Sequence, residues 1–316
     1  MVDVLVIPDG AAQPPRDGAP TALERAYTPV LDALAGEGVV MRVATTPERL
    51  PAGSETGVST LLGAPPSQPV GRGWVDAAAY GVEVPDGMTP WRADLVYRNG
   101  KRGSVRQARD ICSHLGSDAY AVGGHRLLLL AAERPADTRM LGLQLRVWHD
   151  GPPPTGSIPA TVVICAAGAA AGCGRLLGAE VVVPEGATGD VDTDLRAKAL
   201  AAMRASTERI VVHVGAPDEA AHRRDPDGVV AALERLDAEL LAPLREAVRA
   251  ASGRLTVCPD HFTDPFNGQH GDAPVPAVVW GAGVSPAGPD RLTERAAAGA
   301  PVASAGELAA LAAVAP

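Results

Sequence analysis

The sequence predicts an α/β protein: a mostly parallel sheet with helices on both faces, plus a smaller α+β insert in the middle of the chain. Three observations carry this. Short apolar runs alternate with stretches of helical spacing from residue 2 to 62 and again from 160 onward, the pattern of a parallel sheet covered on both sides. Between Gly71 and Ile158 the texture changes to short strands punctuated by Gly and Pro. Finally, three apolar runs far apart in sequence stop at an acidic residue: Val2-Asp-Val-Leu-Val-Ile-Pro-Asp9, Arg209-Ile-Val-Val-His-Val-Gly-Ala-Pro-Asp218 and Arg254-Leu-Thr-Val-Cys-Pro-Asp260. In open α/β sheets, ligands gather outside the carboxyl ends of the strands.

Val2–Ile7 is short, apolar and β-branched, as a buried parallel strand should be. Thr21–Gly36 follows with helical spacing at Leu23, Ala26, Val30, Leu31 and Leu34, and Gly36 is its stop. Val39–Ala44 is a second strand, and the turn Pro51-Ala-Gly-Ser54-Glu-Thr-Gly57 opens a helix that runs to Leu62. Inside the insert, Ala93–Tyr97, His125–Ala131 and Leu143–Trp148 are candidate strands, and the proline run 151–156 is a connector. After Ala160, strands are expected at Thr161–Ala166, Ala179–Val183, Ile210–Val214, Leu255–Cys258 and Ala277–Trp280. Helices are expected at Ala167–Leu177, Asp192–Ser206, Val229–Ala251 and Glu307–Val314. The simplest layout is one discontinuous core, residues 1–70 and 159–316, interrupted by an insert at 71–158.

At 316 residues, with 46% hydrophobic and 21% charged, the chain can bury a large core. Aromatics make up only 3%, so Ala, Val and Leu must build that core. A net charge of −9 argues against non-specific nucleic-acid binding. The insert carries 11 Lys and Arg against 9 Asp and Glu, the rest of the chain 17 against 28. A mildly basic middle in an acidic frame suits an anionic substrate held beside a cation site; a chance fluctuation accounts for it equally well. Cys112, Cys165, Cys173 and Cys258 show no CxxC spacing. Cys165 and Cys258 lie in apolar runs and read as small core residues, and so few cysteines make no disulfide framework. No charged-then-apolar leader precedes the first strand, and no apolar run approaches the ~18 residues of a membrane span. A cytoplasmic protein with no membrane partner is expected, a monomer or small homo-oligomer.

Two of the strand-end acids have a histidine close by. Asp218 and His222 are four apart, so on a helix both side chains lie on one face and can reach one ion, although D-x-x-x-H alone is a common pattern. Asp260 and His261 are neighbours, which point to opposite faces in a strand; both can ligate only from the loop beyond it, and Pro259 favours that. His270 lies in Asn267-Gly-Gln-His270-Gly-Asp272, a flexible turn sequence. A lone histidine is usually a surface or hydrogen-bonded group, but three of seven beside strand-end carboxylates weaken that reading. Carboxylate and imidazole together suit Mn, Zn or Fe better than Mg or Ca. Ser54 is the candidate nucleophile. It can be a plain helix N-cap; the same position also favours anions, and a nearby cation would help ionise its hydroxyl. A serine alkoxide beside two metals is a good phosphoryl acceptor, because phosphoryl transfer needs mostly positioning and charge neutralisation.

With these residues in view, the chain resembles the cofactor-independent (2,3-bisphosphoglycerate-independent) phosphoglycerate mutases, in particular their archaeal-type branch, within the alkaline phosphatase superfamily. The resemblance runs in order through Ile7-Pro-Asp9-Gly10, Thr21-Ala-Leu-Glu-Arg-Ala-Tyr-Thr-Pro-Val-Leu-Asp32, Gly53-Ser54-Glu55, Leu61-Leu62-Gly63 and Gly71-Arg72-Gly73. It continues through Gly186-Ala-Thr-Gly189, Lys198, His213-Val-Gly-Ala-Pro-Asp218-Glu-Ala-Ala-His222, Asp260-His261, and His270 followed by Pro274-Val-Pro276. It implies an alkaline-phosphatase-like fold and two divalent cations, Mn2+ foremost, with Mg2+ or Zn2+ as alternatives. Asp218, His222 and His270 would hold one; Asp9, Ser54, Asp260 and His261 the other. Ser54 would carry the phosphoryl group as a phosphoserine between 3-phosphoglycerate and 2-phosphoglycerate or a close analogue. Lys198 is expected to contact phosphoryl oxygens, and Arg72, Arg92 and Arg126 to grip a small anionic, phosphorylated substrate.

The chain also departs from that branch. It is shorter, with the shortfall between Ser54 and Gly186, and after Asp260-His261 it continues Phe262-Thr-Asp-Pro265 where the family has small polar residues and Thr-Pro. A mutase must exclude water from its phosphoserine. A trimmed insert therefore leaves two other readings open: a phosphohydrolase acting on a small ester or phosphonate, or an inactive binding or regulatory homologue.

Overall fold

The strand Asp3–Pro8 shows why this sequence forms layers. Val4 and Val6 pack with Leu31, Leu34, Leu233 and Leu240 on one side of the sheet. Leu5 and Ile7 pack with Val58, Leu61 and Cys173 on the other. A strand apolar on both faces needs helices above and below it. In the computed structural model, which describes residues 2–148 and 151–313, it lies inside an eight-stranded sheet. The strand order is Val302–Ser304, Val39–Ala44, Val275–Gly281, Arg254–Val257, Asp3–Pro8, Arg209–Val214, Thr161–Ile164, Glu180–Val182. Only Val275–Gly281 runs antiparallel to its neighbours, so the expected mostly parallel α/β architecture is the one observed.

Register places the chemistry. Ile7 lies opposite His213, and Val6 opposite Val257. The three strands therefore end level with one another, and the loops bearing Asp9, Asp218 and Asp260 leave from adjacent positions on one rim. Residues 89–147 form a second, five-stranded antiparallel sheet in the order Ala119–Ala121, Arg126–Ala131, Thr89–Val96, Leu143–Val147, Thr138–Met140. Helix Val105–Leu115 covers it through Ala108 and Ile111. Helix Arg72–Tyr80 joins the two bodies: Val75 and Ala79 pack with the large sheet's core, and Ala77 packs with Val122, Leu128 and Leu130 of the small sheet.

Several elements differ from expectation for local reasons. The helix expected over Thr21–Gly36 is two, Ala22–Arg25 and Pro29–Glu37, because a residue before proline is pushed out of the α region. The helix expected over Val229–Ala251 is Pro226–Leu236 and Ala242–Ala250, joined by a π turn at Asp237–Leu241. That shift sits just before Pro243, which has no N–H to give. His270 is not in a flexible turn: it pairs opposite Thr263 in a short antiparallel ladder. The strand Val302–Ser304 and the helices Arg72–Tyr80 and Val105–Leu115 are absent from the sequence expectations, although Ser104 and Gln107 form a capping box. The closing helix is Ala305–Ala312; Val314, its expected end, lies outside the described residues.

The π turn has a structural use. Thr28 makes no side-chain cap for helix Pro29–Glu37, and Asp237 accepts from Leu31 N at 2.7 Å and Val30 N at 3.2 Å instead. Asp237→Ala leaves the buried Leu31 amide and the half-buried Val30 amide without that partner. It is expected to cost about 1–3 kcal/mol, read as a lower urea midpoint at unchanged slope. A variant as stable as the parent would contradict this.

Candidate metal centre and its pocket

The site is assembled from four chain segments. Gly10, after Asp9, has φ +57°, and a Cβ there would come within 2.6 Å of Asp218 Oδ1, so only glycine lets these two loops close on each other. Helix Ala216–His222 puts Asp218 and His222 one turn apart. Asp260 and His261 lie in the bend beyond strand Arg254–Val257, off the ladder, where neighbouring side chains can converge. The ladder at His270 brings the fourth segment in.

Two clusters result. In the first, His222 Nε2 is 3.1 Å from Asp218 Oδ2, His270 Nε2 is 3.4 Å from Asp218 Oδ1, and the two Nε2 atoms are 3.1 Å apart. In the second, His261 Nε2 is 3.2 Å from Asp9 Oδ1 and 3.6 Å from Asp260 Oδ2. Within each trio the candidate ligand atoms all lie within 4.8 Å of one another. Ser54 Oγ donates toward Asp9, 3.2 Å from each carboxylate oxygen, and stands 3.5 Å from His261 Nε2. Positions around the clusters are also specified. Thr263 Oγ1 donates to Asp218 Oδ1 at 2.7 Å, and Gly10 N donates to Asp260 Oδ1 at 3.1 Å.

The electrostatics call for positive charge. Asp9, Asp218 and Asp260 are all buried. Burial and the charge of Asp9 push Asp260 up to about 6. Burial and Asp218 also push Asp9 upward, but the neighbouring imidazoles of His213 and His261 outweigh them and hold it below the usual carboxylate range. Burial alone would depress His261; Asp260, Asp9 and Asp218 instead raise it to about 10. Asp260 Oδ2 is buried with no hydrogen-bond partner among the described residues. A mixed carboxylate–imidazole donor set with an orphaned buried oxygen fits divalent transition-metal ions.

A cavity of about 620 Å3 opens beside the clusters, between the large and small sheets. Asp9, Ser54, Asp218, His222 and His270 line it, as do Arg72 and Arg126. Arg72 stacks on Trp148, its guanidinium carbon 4.4 Å from the ring centroid. The structure corrects two expectations. Lys198 does not line the cavity: it is fully buried, burial lowers it to about 8, and its Nζ donates to His213 O at 2.9 Å. It therefore braces the strand behind the site. Arg92 touches the cavity wall, but all three of its nitrogens already bind Asp76 and Glu55, so it has no free fork for a substrate. Two residues to which the sequence gives no role also stand at the site: His213, whose Nε2 lies 3.4 Å from Asp9 Oδ2, and Arg102, which meets Glu219 at 3.1 Å. A histidine inside an otherwise apolar strand was the available signal for the first; nothing local marks the second.

A family model described as the metalloenzyme superfamily matches residues 1–315. The chain belongs to that superfamily. It is similar to the 2,3-bisphosphoglycerate-independent phosphoglycerate mutase 2 of Methanothermobacter thermautotrophicus, 28% identical over 362 aligned positions that cover 90% of each chain. It is also similar to the 2,3-bisphosphoglycerate-independent phosphoglycerate mutase of Methanosarcina barkeri, at 28% identity over 87% of this chain and 89% of the relative. Among solved structures, the PH0037 protein from Pyrococcus horikoshii has the same fold, with a TM-score of 0.80 at 21% identity over 98% of this chain and 96% of that one. The cofactor-independent phosphoglycerate mutase from Thermoplasma acidophilum gives a TM-score of 0.62 at 16% identity over 99% and 100%. Members of this superfamily are metalloenzymes by description, and the two clusters are where this chain has the donors for such ions.

Thr263→Val removes the hydroxyl that orients Asp218 while keeping the volume. Its affinity for Mn2+, measured by competition titration, should fall by about 10–100-fold. Unchanged affinity would mean that Asp218 needs no such support.

Proposed function

We propose that this chain catalyses metal-dependent phosphoryl transfer through Ser54, in the manner of a phosphoglycerate mutase acting on 3-phosphoglycerate or a close analogue. The observation that carries the reading is the placement of Ser54 Oγ, 3.2 Å from both oxygens of Asp9 and open to a cavity that Arg72 and Arg126 also line. The similarity to the two archaeal mutases over most of the chain points the same way.

Asp218, His222 and His270 would hold one divalent cation, and Asp9, Ser54, Asp260 and His261 the other. When bound, such a pair neutralises phosphoryl oxygens and lowers the pKa of a serine hydroxyl. Mn2+ is the ion that the resemblance to the phosphoglycerate mutases favours, with Mg2+ and Zn2+ as comparators; the mixed carboxylate–imidazole donors by themselves suit Mn, Zn or Fe. Residues 71–158 would form the substrate-holding insert. There Arg72 and Arg126 meet carboxylate or phosphate oxygens, a task suited to the guanidinium fork. In the first half-reaction, Ser54 Oγ bonds to phosphorus and the bond from phosphorus to the substrate oxygen breaks. Asp9, which stays ionised, accepts the hydrogen bond of the serine hydroxyl and orients its oxygen. The proton that Ser54 loses is matched by the one the departing substrate oxygen takes up, so the half-reaction is proton-neutral. In the second half, the neighbouring hydroxyl oxygen of the substrate bonds to phosphorus, the bond from phosphorus to Ser54 Oγ breaks, and the proton lost by that hydroxyl is balanced by the one Ser54 regains.

Ser54→Ala should abolish turnover while leaving the melting temperature close to that of the parent. Intact-mass spectrometry after incubation with Mn2+ and 3-phosphoglycerate should show a phosphoryl adduct on the parent chain alone. Interconversion of 3- and 2-phosphoglycerate is followed in parallel with release of inorganic phosphate. Phosphate release without interconversion would replace the mutase reading by a hydrolase, and turnover by Ser54→Ala would remove the serine from the mechanism.

A further inference from the structure

We infer that Arg92 is a positioning residue: by tying Asp76 and Glu55 together it sets the turn that carries Ser54 and couples the small sheet to the nucleophile. The inference rests on the serine reading above and assigns the substrate-facing strand a different task from gripping substrate.

The three groups come from three elements. Arg92 lies in strand Thr89–Val96, Asp76 in helix Arg72–Tyr80, and Glu55 directly after Ser54 in helix Ser54–Leu62. All are buried; Arg92 is 5% exposed and Asp76 1%. Arg92 Nε and Nη2 take the two oxygens of Asp76 at 2.5 and 2.7 Å, the two-point geometry that a guanidinium and a carboxylate share. Its remaining nitrogen, Nη1, donates to Glu55 Oε1 at 3.0 Å. Arg72 Nε approaches the same oxygen at 3.6 Å.

The serine turn is also tied through Ser54 Oγ to Asp9 and through Ala52 O, 3.3 Å from His270 Nδ1. Gly53 precedes Ser54, and no side chain caps the helix. Thr56 N and Gly57 N both donate to Gly53 O, at 3.0 and 2.9 Å. On the far side, Gly57 lies against the metal-site loop so closely that a Cβ there would meet Asp260 O at 2.3 Å. On the side of the small sheet, the Arg92–Glu55 bond is the side-chain tie that opposes the packing of Gly57 on Asp260. Removing Arg92 leaves the buried Asp76 without its partner and Glu55 with Arg72 alone, an unfavourable arrangement that the turn relieves by moving. A shift of about 1 Å at a reacting oxygen is enough to slow chemistry about a hundredfold.

The test compares Arg92→Lys with the neutral triple variant Glu55→Gln, Asp76→Asn, Arg92→Met. Lysine keeps the charge but offers a point donor in place of the fork. The triple variant removes the buried charges together, so that none is left unpaired. In both, kcat for interconversion of the phosphoglycerates should fall about a hundredfold with KM little changed. Hydrogen exchange at the Thr56 and Gly57 amides should quicken, while amides of strand Asp3–Pro8 keep their protection. A raised KM with kcat and exchange unchanged would overturn the inference, because Arg92 would then be holding substrate. Should the triple variant fail to fold, Arg92→Lys decides. Exchange is read without turnover, so a parent protein inactive on phosphoglycerates would sink the proposed function while leaving the positioning claim to be decided at that turn.

Discussion

Three carboxylates crowded into a buried corner of one sheet rim are the constraint around which this protein is arranged. Asp9, Asp218 and Asp260 follow three adjacent strands whose register leaves them no room to separate. Like charges in a poorly hydrated site repel strongly unless cations or donors stand between them. The chain supplies His213, His222, His261 and His270, two backbone and hydroxyl donors at Gly10 and Thr263, and donor sets that suit metal ions. Gly10 and the ladder at Thr263 and His270 are explained by the need to close loops around that charge.

The same corner explains how the small sheet is attached. Its strand Thr89–Val96 reaches the nucleophile's helix through Arg92 and Glu55, and Arg102 meets Glu219, the neighbour of Asp218, across the cavity. Arg72 is held against Trp148 at the cavity wall. The cavity is thus bounded on one side by the carboxylate–imidazole clusters and on the other by guanidinium groups. Lys198 serves that arrangement from behind, binding the backbone of His213 in place of a ligand.

Much of this was legible in the sequence, because parallel strands announce themselves as apolar runs and their ends as abrupt polarity. Val39–Ala44 begins and ends where the pattern says, and the helix after the serine turn ends at Leu62 as expected, although it starts at Ser54 itself with Gly53 as its N-cap. Asp9, Ser54, Asp218, His222, Asp260, His261 and His270 stand together as two clusters and a hydroxyl. What the pattern hides is tertiary. Nothing near Arg92 reveals that Asp76 and Glu55 will occupy it, and nothing near Lys198 reveals a backbone carbonyl as its partner. The break before Pro29 was readable from the proline, whereas the π turn at Asp237 depends on a helix some two hundred residues away in sequence. The short strands Ala119–Ala121 and Thr138–Met140 are stabilised by their neighbours and carry too few residues to show a period.

The central claim is that this corner holds a pair of divalent cations within reach of Ser54. Anomalous diffraction from crystals grown with Mn2+ tests it most directly. Two peaks are expected, one among Asp218, His222 and His270 and one among Asp9, Asp260, His261 and the Ser54 hydroxyl, at the roughly 4 Å spacing of two-metal sites. No peak at either cluster, or cations bound only elsewhere on the protein, would contradict the account.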